Sequence, residues 1–339
     1  MLPIISLLIL FGASLFILKR YLRWAEGVGV WDQPNHRSSH RQPVIRGGGL
    51  VFPVLIAPLA VSLALLMKIT MWWQLSALLL GGVAIAWVGW QDDRGQTSTR
   101  KRFLIHLIVS IVTVSVLGGL GSITLGKLAI NWGLLGSVLA VVALVWSINL
   151  FNFMDGVDGI AGVEAICVIG TGGVLFYFSG GEFWAWFCWG ICTSVLAFLW
   201  FNWAPARLFM GDVGSGFLGF TIATLAILGQ THYEISVFLW IILYVLFWGD
   251  ATLTLLRRLI RGETIYQAHR SHAYQRLHLV GWSHQRISLA VLCLNLLFVV
   301  FSLIGYFYPI SLGILLLVTV FVLLGIYYLV ERRVPMRMA

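Results

Sequence analysis

The sequence predicts an all-α, polytopic integral membrane protein with about eleven transmembrane helices, or ten if one span is re-entrant. Of its 339 residues, 60% are hydrophobic and only 10% are charged, a composition that argues against an ordinary soluble enzyme. Apolar stretches close to bilayer-spanning length recur along the whole chain. No soluble domain or long linker interrupts them, so we expect one membrane domain over residues 1–339.

Polar loops bound the expected spans, and many tryptophans lie near the span ends, as membrane interfaces favour. The first span is followed by Lys19, Arg20 and Arg23, whereas a cleavable signal peptide carries its basic residues ahead of the apolar run. We therefore expect this span to be a transmembrane helix. In chain order the eleven stretches are 2–18, 47–67, 74–90, 103–120, 132–150, 162–178, 183–202, 214–230, 235–256, 287–308 and 310–330.

Basic residues predict the orientation, because loops rich in Lys and Arg remain in the cytoplasm. Of the 22 Lys and Arg, all but Lys68 and Lys127 lie in alternate loops. This pattern predicts a periplasmic N-terminus and a cytoplasmic C-terminus. It also accounts for the net charge of +9, so no nucleic-acid partner is required. The basic loops are 19–46, 91–102, 203–213, 257–286 and 331–339.

Carboxylates also lie on the side that carries the basic loops, although an ionisable group within a membrane is energetically unfavourable. Asp92 and Asp93 follow the third span; they could cap a helix end or offset the charge of Arg94, or as adjacent carboxylates they could raise one pKa or attract a cation. Asp212 follows the seventh span within a glycine-rich turn, where it could stand near a helix N-cap or bind a metal ion. Arg46 precedes three glycines that open the second span.

The densest polar cluster, NLFNFMDGVDG over 149–159, follows the fifth span. Asp155 and Asp158 each precede a glycine and could simply mark turns. If the segment is helical, however, Asn149, Asn152 and Asp155 fall at every third position along one face. Amide and carboxylate oxygens are ligands that Mg²⁺ accepts, so the cluster is a candidate metal and phosphate site.

His269 and His272 lie in the long loop after the ninth span. Their spacing lets them share a helix face and donate hydrogen bonds to phosphate, although they could equally be interfacial polar residues. These loops together supply carboxylates for a cation, basic groups for anions and glycines for close approach. This combination of groups favours a ligand that carries phosphate and binds at one face of the membrane.

These motifs together resemble those of the polyprenyl-phosphate N-acetylhexosamine-1-phosphate transferase superfamily. They occur in the expected order, on the face that the charge distribution predicts. The segments that carry the resemblance are DQPNHRSSHRQPVIRGGG at 32–49, Asp92-Asp93, NLFNFMDGVDGIAG at 149–162, FMGDVGS at 209–215 and HRSHAYQ at 269–275.

The resemblance implies a bundle of ten or eleven helices with an active-site cleft on the cytoplasmic face of a bacterial inner membrane. It also implies Mg²⁺, or alternatively Mn²⁺, as cofactor, and a UDP-N-acetyl sugar and undecaprenyl phosphate as substrates, in a monomer or homodimer. By position, it assigns metal contact to Asn152 and Asp212, and nucleoside contact to Asp158 and Phe209. Catalytic residues in contact with the diphosphate or the lipid phosphate would be Asp155, Asp92 and Asp93. Other substrate contacts would be made by Arg46, Asn149, His269 and His272.

The implied reaction transfers a sugar 1-phosphate to the lipid and releases UMP, with direct displacement favoured over a covalent aspartyl intermediate. The HRSHAYQ segment most resembles O-antigen initiators that use N-acetylated 6-deoxy sugars such as FucNAc or QuiNAc. A transporter or flippase is the alternative class, and it would depend on Asp250, which lies inside the ninth span.

Overall fold

The computed structural model describes residues 2–34, 42–126, 128–264 and 269–336, and most of this part of the chain is helical. Short antiparallel pairs of strands also occur in two places, each formed by two strands that follow one another along the chain. The helices are α1 (Leu2–Val28), α2 (Val51–Leu66), α3 (Trp72–Asp93), α4 (Thr99–Val116), α5 (Gly133–Met154), α6 (Ile160–Phe178), α7 (Glu182–Asn202), α8 (Asp212–His232), α9 (Val237–Leu243), α10 (Val245–Ile260), α11 (Ala273–Leu279), α12 (His284–Phe307) and α13 (Leu312–Arg333), and the strands are β1 (Trp31–Asp32), β2 (Val44–Ile45), β3 (Ser122–Leu125) and β4 (Leu128–Asn131).

The predicted all-α, multi-pass membrane architecture is confirmed, since each of the eleven apolar stretches contains a helix. Nine helices in the described residues are long and apolar enough to cross a membrane. The ninth predicted span is broken: α9 and α10 meet at Tyr244 with a bend of 80°. The fourth, α4, has 18 residues but begins with a basic segment over 100–102, which lowers its apolar character.

Helix α8 forms the centre of the bundle, with 94% of its most apolar stretch buried. Glycines allow this close packing, as small residues do between membrane helices. A methyl group added to Gly214 at the start of α8 would lie 2.6 Å from the Cα of Gly49, and one added to Gly89 of α3 would overlap the Asp212 carbonyl oxygen. The first turn of α8 is therefore held directly against α3 and the loop that precedes α2.

Backbone hydrogen bonds join the loop before α2 to the loop before α8. The Phe209 amide donates to the Ile45 carbonyl at 2.7 Å, and the amides of Gly47 and Gly48 donate to the Phe209 carbonyl at 3.1 and 2.9 Å. Gly47 has a φ of +99°, a backbone conformation that glycine adopts readily. These contacts bring two loops far apart in sequence to one end of the bundle.

Candidate active site

Asp93 caps a helix other than its own. It is the last residue of α3, and its Oδ1 and Oδ2 accept hydrogen bonds from the amides of Asp212 (2.8 Å) and Val213 (3.2 Å) in the first turn of α8. Its side chain is only 4% exposed. A carboxylate at this place satisfies otherwise unpaired amides and favours the positive end of the helix dipole. Of the alternatives considered for the aspartate pair, helix capping is therefore the one that applies to Asp93.

Arg46 connects Asp93 to Asp212. Its Nε lies 2.8 Å from Oδ1 of Asp93, and its Nη2 pairs with Oδ1 of Asp212. Burial alone would lower the pKa of Arg46, but the carboxylates of Asp212 and Asp93 outweigh it and the pKa is raised. Arg46 therefore carries a fixed positive charge at the first turn of α8.

A second arginine, Arg102, approaches the same carboxylates from α4. Its Nη1 pairs with Oδ2 of Asp92 and lies 3.4 Å from Oδ2 of Asp212. Sequence reasoning missed this residue, because it counted Arg102 only as a charge that sets orientation. The short turn between α3 and α4 could have indicated this contact. Such a turn brings together residues that lie at similar distances on either side of it, as Asp92 and Arg102 do.

The central cluster is divided between two surfaces, so the expectation that Asn149, Asn152 and Asp155 share one face is wrong. Asn152 and Asp155 face Asp212 in a polar cavity, whereas Asn149 lines an apolar groove and donates to the Val145 carbonyl at 2.7 Å. Positions three residues apart drift by about 60° around an α-helix. Moreover, α5 ends at Met154, so Asp155 leaves the helical path.

Asp155 is a buried carboxyl with a perturbed pKa. Burial raises the pKa of Asp155 to about 7; Arg46 acts against this rise, while the charges of Asp212 and Asp158 add to it. A carboxyl that titrates near neutral pH, in a cavity lined by other charged groups, is typical of functional sites.

Asp158 is held by partners from two distant loops. Its Oδ2 accepts a hydrogen bond from the Ala206 amide at 3.0 Å, and its Oδ1 lies 3.0 Å from Nδ1 of His284. His284 begins α12 and also lines the polar cavity. No sequence motif indicated His284, since 126 residues separate it from Asp158.

The histidine loop ends in the short helix α11, whose N-cap is His272. Asp250 of α10 accepts a hydrogen bond from the Ala273 amide at 2.9 Å and lies 3.6 Å from Nδ1 of His272. The rings of His269 and His272 are 4.9 Å apart, and both line the apolar groove. The intramembrane carboxylate that suggested a transporter therefore anchors the start of α11.

Two cavities open at this end of the bundle. The polar cavity, of about 170 Å³, contains six of the predicted site residues, and the apolar groove, of about 680 Å³, contains three. Asp92 pairs with Arg102, which lines the apolar groove, and Asp93 pairs with Arg46, which lines the polar cavity. Predicted residues of the polar cavity are Arg46, Asn152, Asp155, Asp158, Phe209 and Asp212; those of the apolar groove are Asn149, His269 and His272.

The polar cavity has the oxygens that a hard divalent cation prefers, but the protein alone does not form a complete metal cage. In the described ranges, no group of three His, Cys, Asp or Glu side chains is arranged to hold a metal ion. Mg²⁺ usually binds one or two carboxylates together with substrate phosphates and water. Asp212, Asn152 and Asp155 line one cavity and fit that mode of binding.

Comparisons with known proteins agree with this arrangement. A family model described as Glycosyl transferase family 4 matches residues 75–230, from α3 to α8. A probable undecaprenyl-phosphate N-acetylglucosaminyl 1-phosphate transferase of Bacillus subtilis (strain 168) is 30% identical over 321 residues, which cover 91% of this chain and 83% of the relative.

More distant relatives include two kinds of transferase. An undecaprenyl-phosphate alpha-N-acetylglucosaminyl 1-phosphate transferase of Salmonella typhi is 27% identical, over 76% of this chain and 72% of the relative. A phospho-N-acetylmuramoyl-pentapeptide-transferase of Leptospira biflexa is 24% identical, over 87% of this chain and 88% of the relative. The relatives thus differ in the sugar that their names specify.

Proposed function

This chain belongs to glycosyl transferase family 4, the polyprenyl-phosphate N-acetylhexosamine-1-phosphate transferases, and we propose that it uses a UDP-sugar as donor and releases UMP. It is a membrane-embedded phosphotransferase, and undecaprenyl phosphate is the acceptor named for its relatives. The proposed product is undecaprenyl diphosphate linked to an N-acetylated sugar.

The observation that carries the proposal is the junction of a polar cavity with an apolar groove. Gln275 lines both of them. The reaction joins a water-soluble, doubly charged donor to a lipid phosphate, and each cavity has the chemistry of one of these substrates. An enzyme for two soluble substrates would not require a groove of this kind within a membrane bundle.

The donor diphosphate fits the polar cavity. Arg46 supplies a fixed positive charge, while Asn152 and Asp212 supply the oxygens for Mg²⁺ or Mn²⁺. When bound, the metal ion would offset the negative charge of the diphosphate. Phe209 and Asp158 also line this cavity, and we assign them to the nucleoside part of the donor.

The acceptor fits the apolar groove. Phe103, Val142 and Trp146 give it walls suited to a prenyl chain, and its polar lining includes Arg102 and Asn149. Arg102 also contacts the carboxylates of Asp92 and Asp212, and Asp212 lines the polar cavity. A lipid phosphate next to Arg102 would therefore lie close to the donor diphosphate.

We favour a single displacement. An oxygen of the lipid phosphate forms a bond to the phosphorus that carries the sugar, and the bond from that phosphorus to the UMP oxygen breaks. A phosphate monoester is largely ionised at neutral pH, so the attack requires no strong base. Both Asp93 oxygens accept hydrogen bonds from α8, which makes Asp93 poorly placed as a covalent nucleophile.

The finer assignments depend on resemblance. The HRSHAYQ segment favours an N-acetylated 6-deoxy donor such as UDP-FucNAc or UDP-QuiNAc, and a role in initiating O-antigen or a related envelope glycan. The basic loops favour the cytoplasmic side of a bacterial inner membrane for the site end of the bundle. N-acetylglucosamine is the competing donor sugar, because it is the sugar named for several relatives.

A transport function would require a different distribution of essential residues. Asp250, the candidate transport group, is engaged by Thr254, Ala273 and His272 around the start of α11. A transporter would lose activity on substitution of Asp250 but tolerate Asp212→Asn. The proposed transferase requires Asp212.

The deciding experiment uses purified protein with undecaprenyl phosphate, Mg²⁺ and a panel of UDP-N-acetyl sugars. We expect UMP release and a lipid-linked product that both require the lipid and are abolished by EDTA. Asp212→Asn should remove both, whereas Glu182→Gln, at the start of α7 and remote from the site end, should remove neither. Absence of UMP with every donor, from folded protein that binds a UDP-sugar, would contradict the proposal.

A further inference from the structure

The helix α11 forms part of the wall between the two cavities. Gln275 lines both of them, and His272 lines the apolar groove. With only seven residues, α11 is too short to be stable by its own hydrogen bonds. Its position must therefore come from the surrounding elements.

Contacts with α10, α5 and α13 help to hold α11 in place. Asp250 caps its first turn, as described above, and the hydroxyl of Tyr274 donates to the Phe153 carbonyl of α5 at 2.9 Å. The third contact is made by Arg276, which is fully buried and donates from Nη1 to Oε2 of Glu331 and to the Val334 carbonyl, at 2.7 and 2.8 Å. The last turn of α13 is thereby fixed to the middle of α11.

Glu331 is the centre of this contact. It also accepts two hydrogen bonds from Arg257 of α10, at 2.7 and 2.9 Å, and the Tyr327 ring lies 5.2 Å from the guanidinium of Arg276. Among the described residues, Glu331 is the carboxylate that forms an ion pair with Arg276. Without it, Arg276 would keep a buried charge with no counter-charge, and such a state is strongly unfavourable.

We propose that Glu331 is a positioning residue for the transfer reaction, and that it acts through Arg276 on the placement of α11. It would hold His272 and Gln275 where the donor and acceptor meet, although it touches neither cavity itself. The proposal rests on the proposed function. It gives the last turn of α13 a role that no sequence motif indicated.

The test compares Glu331→Gln with Arg257→Gln in the full-length protein. Both variants break the same ion-pair network, but only Glu331 contacts α11 through Arg276. We expect Glu331→Gln to lower kcat/KM about tenfold and to raise KM for the UDP-sugar, and Arg257→Gln to stay within about twofold of wild type. A merely structural role would reduce the active fraction and leave KM unchanged. Equal losses in the two variants would overturn the proposal.

A double-mutant cycle with His272→Asn separates action through α11 from other effects. Asparagine is a good N-cap residue, so this variant should keep α11 folded. If Glu331 acts by placing His272, then Glu331→Gln should cost less than about twofold in the His272→Asn background. Fully additive losses would contradict a role through this residue.

Hydrogen–deuterium exchange gives a readout that is independent of turnover. In Glu331→Gln, amides over 273–279 should exchange faster, while those of α8 should be unchanged. Unchanged exchange in α11 would overturn the proposal. If the wild-type protein shows no turnover, the proposed function fails, and the exchange measurement still decides whether Glu331 holds α11.

Discussion

The guanidinium of Arg102 lies 3.4 Å from the carboxylate of Asp212, across 110 residues of sequence. This contact brings the start of α4 against the start of α8 and places a positive charge between the two cavities. Arg46 approaches Asp212 from another loop. Two arginines thus offset part of the negative charge of Asp92, Asp93 and Asp212, which would otherwise repel one another more strongly in this largely buried site.

The first prediction concerns Arg102. Arg102→Gln should lower kcat/KM for undecaprenyl phosphate by about 10² or more, because it removes a charge aimed at the reacting phosphates. Arg102→Lys should recover part of the loss, since lysine keeps the charge but not the planar fork. Lys101→Gln, an exposed neighbour on the same helix, is the control and should stay within about twofold. Similar losses of kcat/KM in Lys101→Gln and Arg102→Gln would indicate a general effect of positive charge and would contradict a specific role of Arg102.

The second prediction separates the two adjacent aspartates. Asp93→Asn should lower turnover by at least 10², because it weakens the contacts that hold Asp212. It should also lower the thermal midpoint, because the amide nitrogen that replaces one oxygen cannot accept the second hydrogen bond from α8, at a cost of about 1 kcal/mol. Asp92→Asn should reduce turnover without this loss of stability, because its partner is the side chain of Arg102. Turnover assays and thermal unfolding in detergent measure both quantities. Near-normal turnover of Asp93→Asn would contradict the assignment.

The third prediction follows from the pKa of Asp155. Burial raises it to about 7 in the folded protein, well above the 3.9 of an unfolded chain. The folded state then binds this proton more tightly, so stability falls as pH rises from about 4 to 7 and levels above that range. The slope attributable to this group is at most about 1.4 kcal/mol per pH unit. We expect metal-free wild-type protein to lose stability over this range relative to Asp155→Asn. Parallel pH profiles of the two proteins would refute the assignment.

Helix positions were predictable from the sequence because they depend on a long apolar pattern. The break between α9 and α10 was not predictable, because both parts belong to one apolar run. The fourth helix was predicted despite its basic first turn. Hydropathy therefore predicted which segments are helical, but not where a helix bends.

Sequence motifs identified the site residues but not the residues that contact them in the folded protein. Asp158 belongs to a recognisable cluster, but His284 lies in an ordinary-looking segment and meets it only in the folded bundle. Glu331 and Arg276 are similar, since in the sequence each is only one charged residue in a polar loop. Contacts of this kind depend on how helices pack, and a single sequence does not contain that information in any local pattern.

The last prediction concerns the packing that holds the first turn of α8. A methyl group at Gly89 would lie within 2.6 Å of the Val213 nitrogen and overlap the Asp212 carbonyl, so Gly89→Ala should push α8 away from α3. Overpacking of this kind costs about 1–3 kcal/mol, and the displacement should also disturb the contacts of Asp93 with α8. We expect a lower thermal midpoint together with a loss of turnover. Gly12→Ala in α1, where an added methyl meets no atom within 4 Å, is the matched control and should change neither quantity. A Gly89→Ala protein with wild-type stability and turnover would show that the start of α8 can shift without consequence for the site.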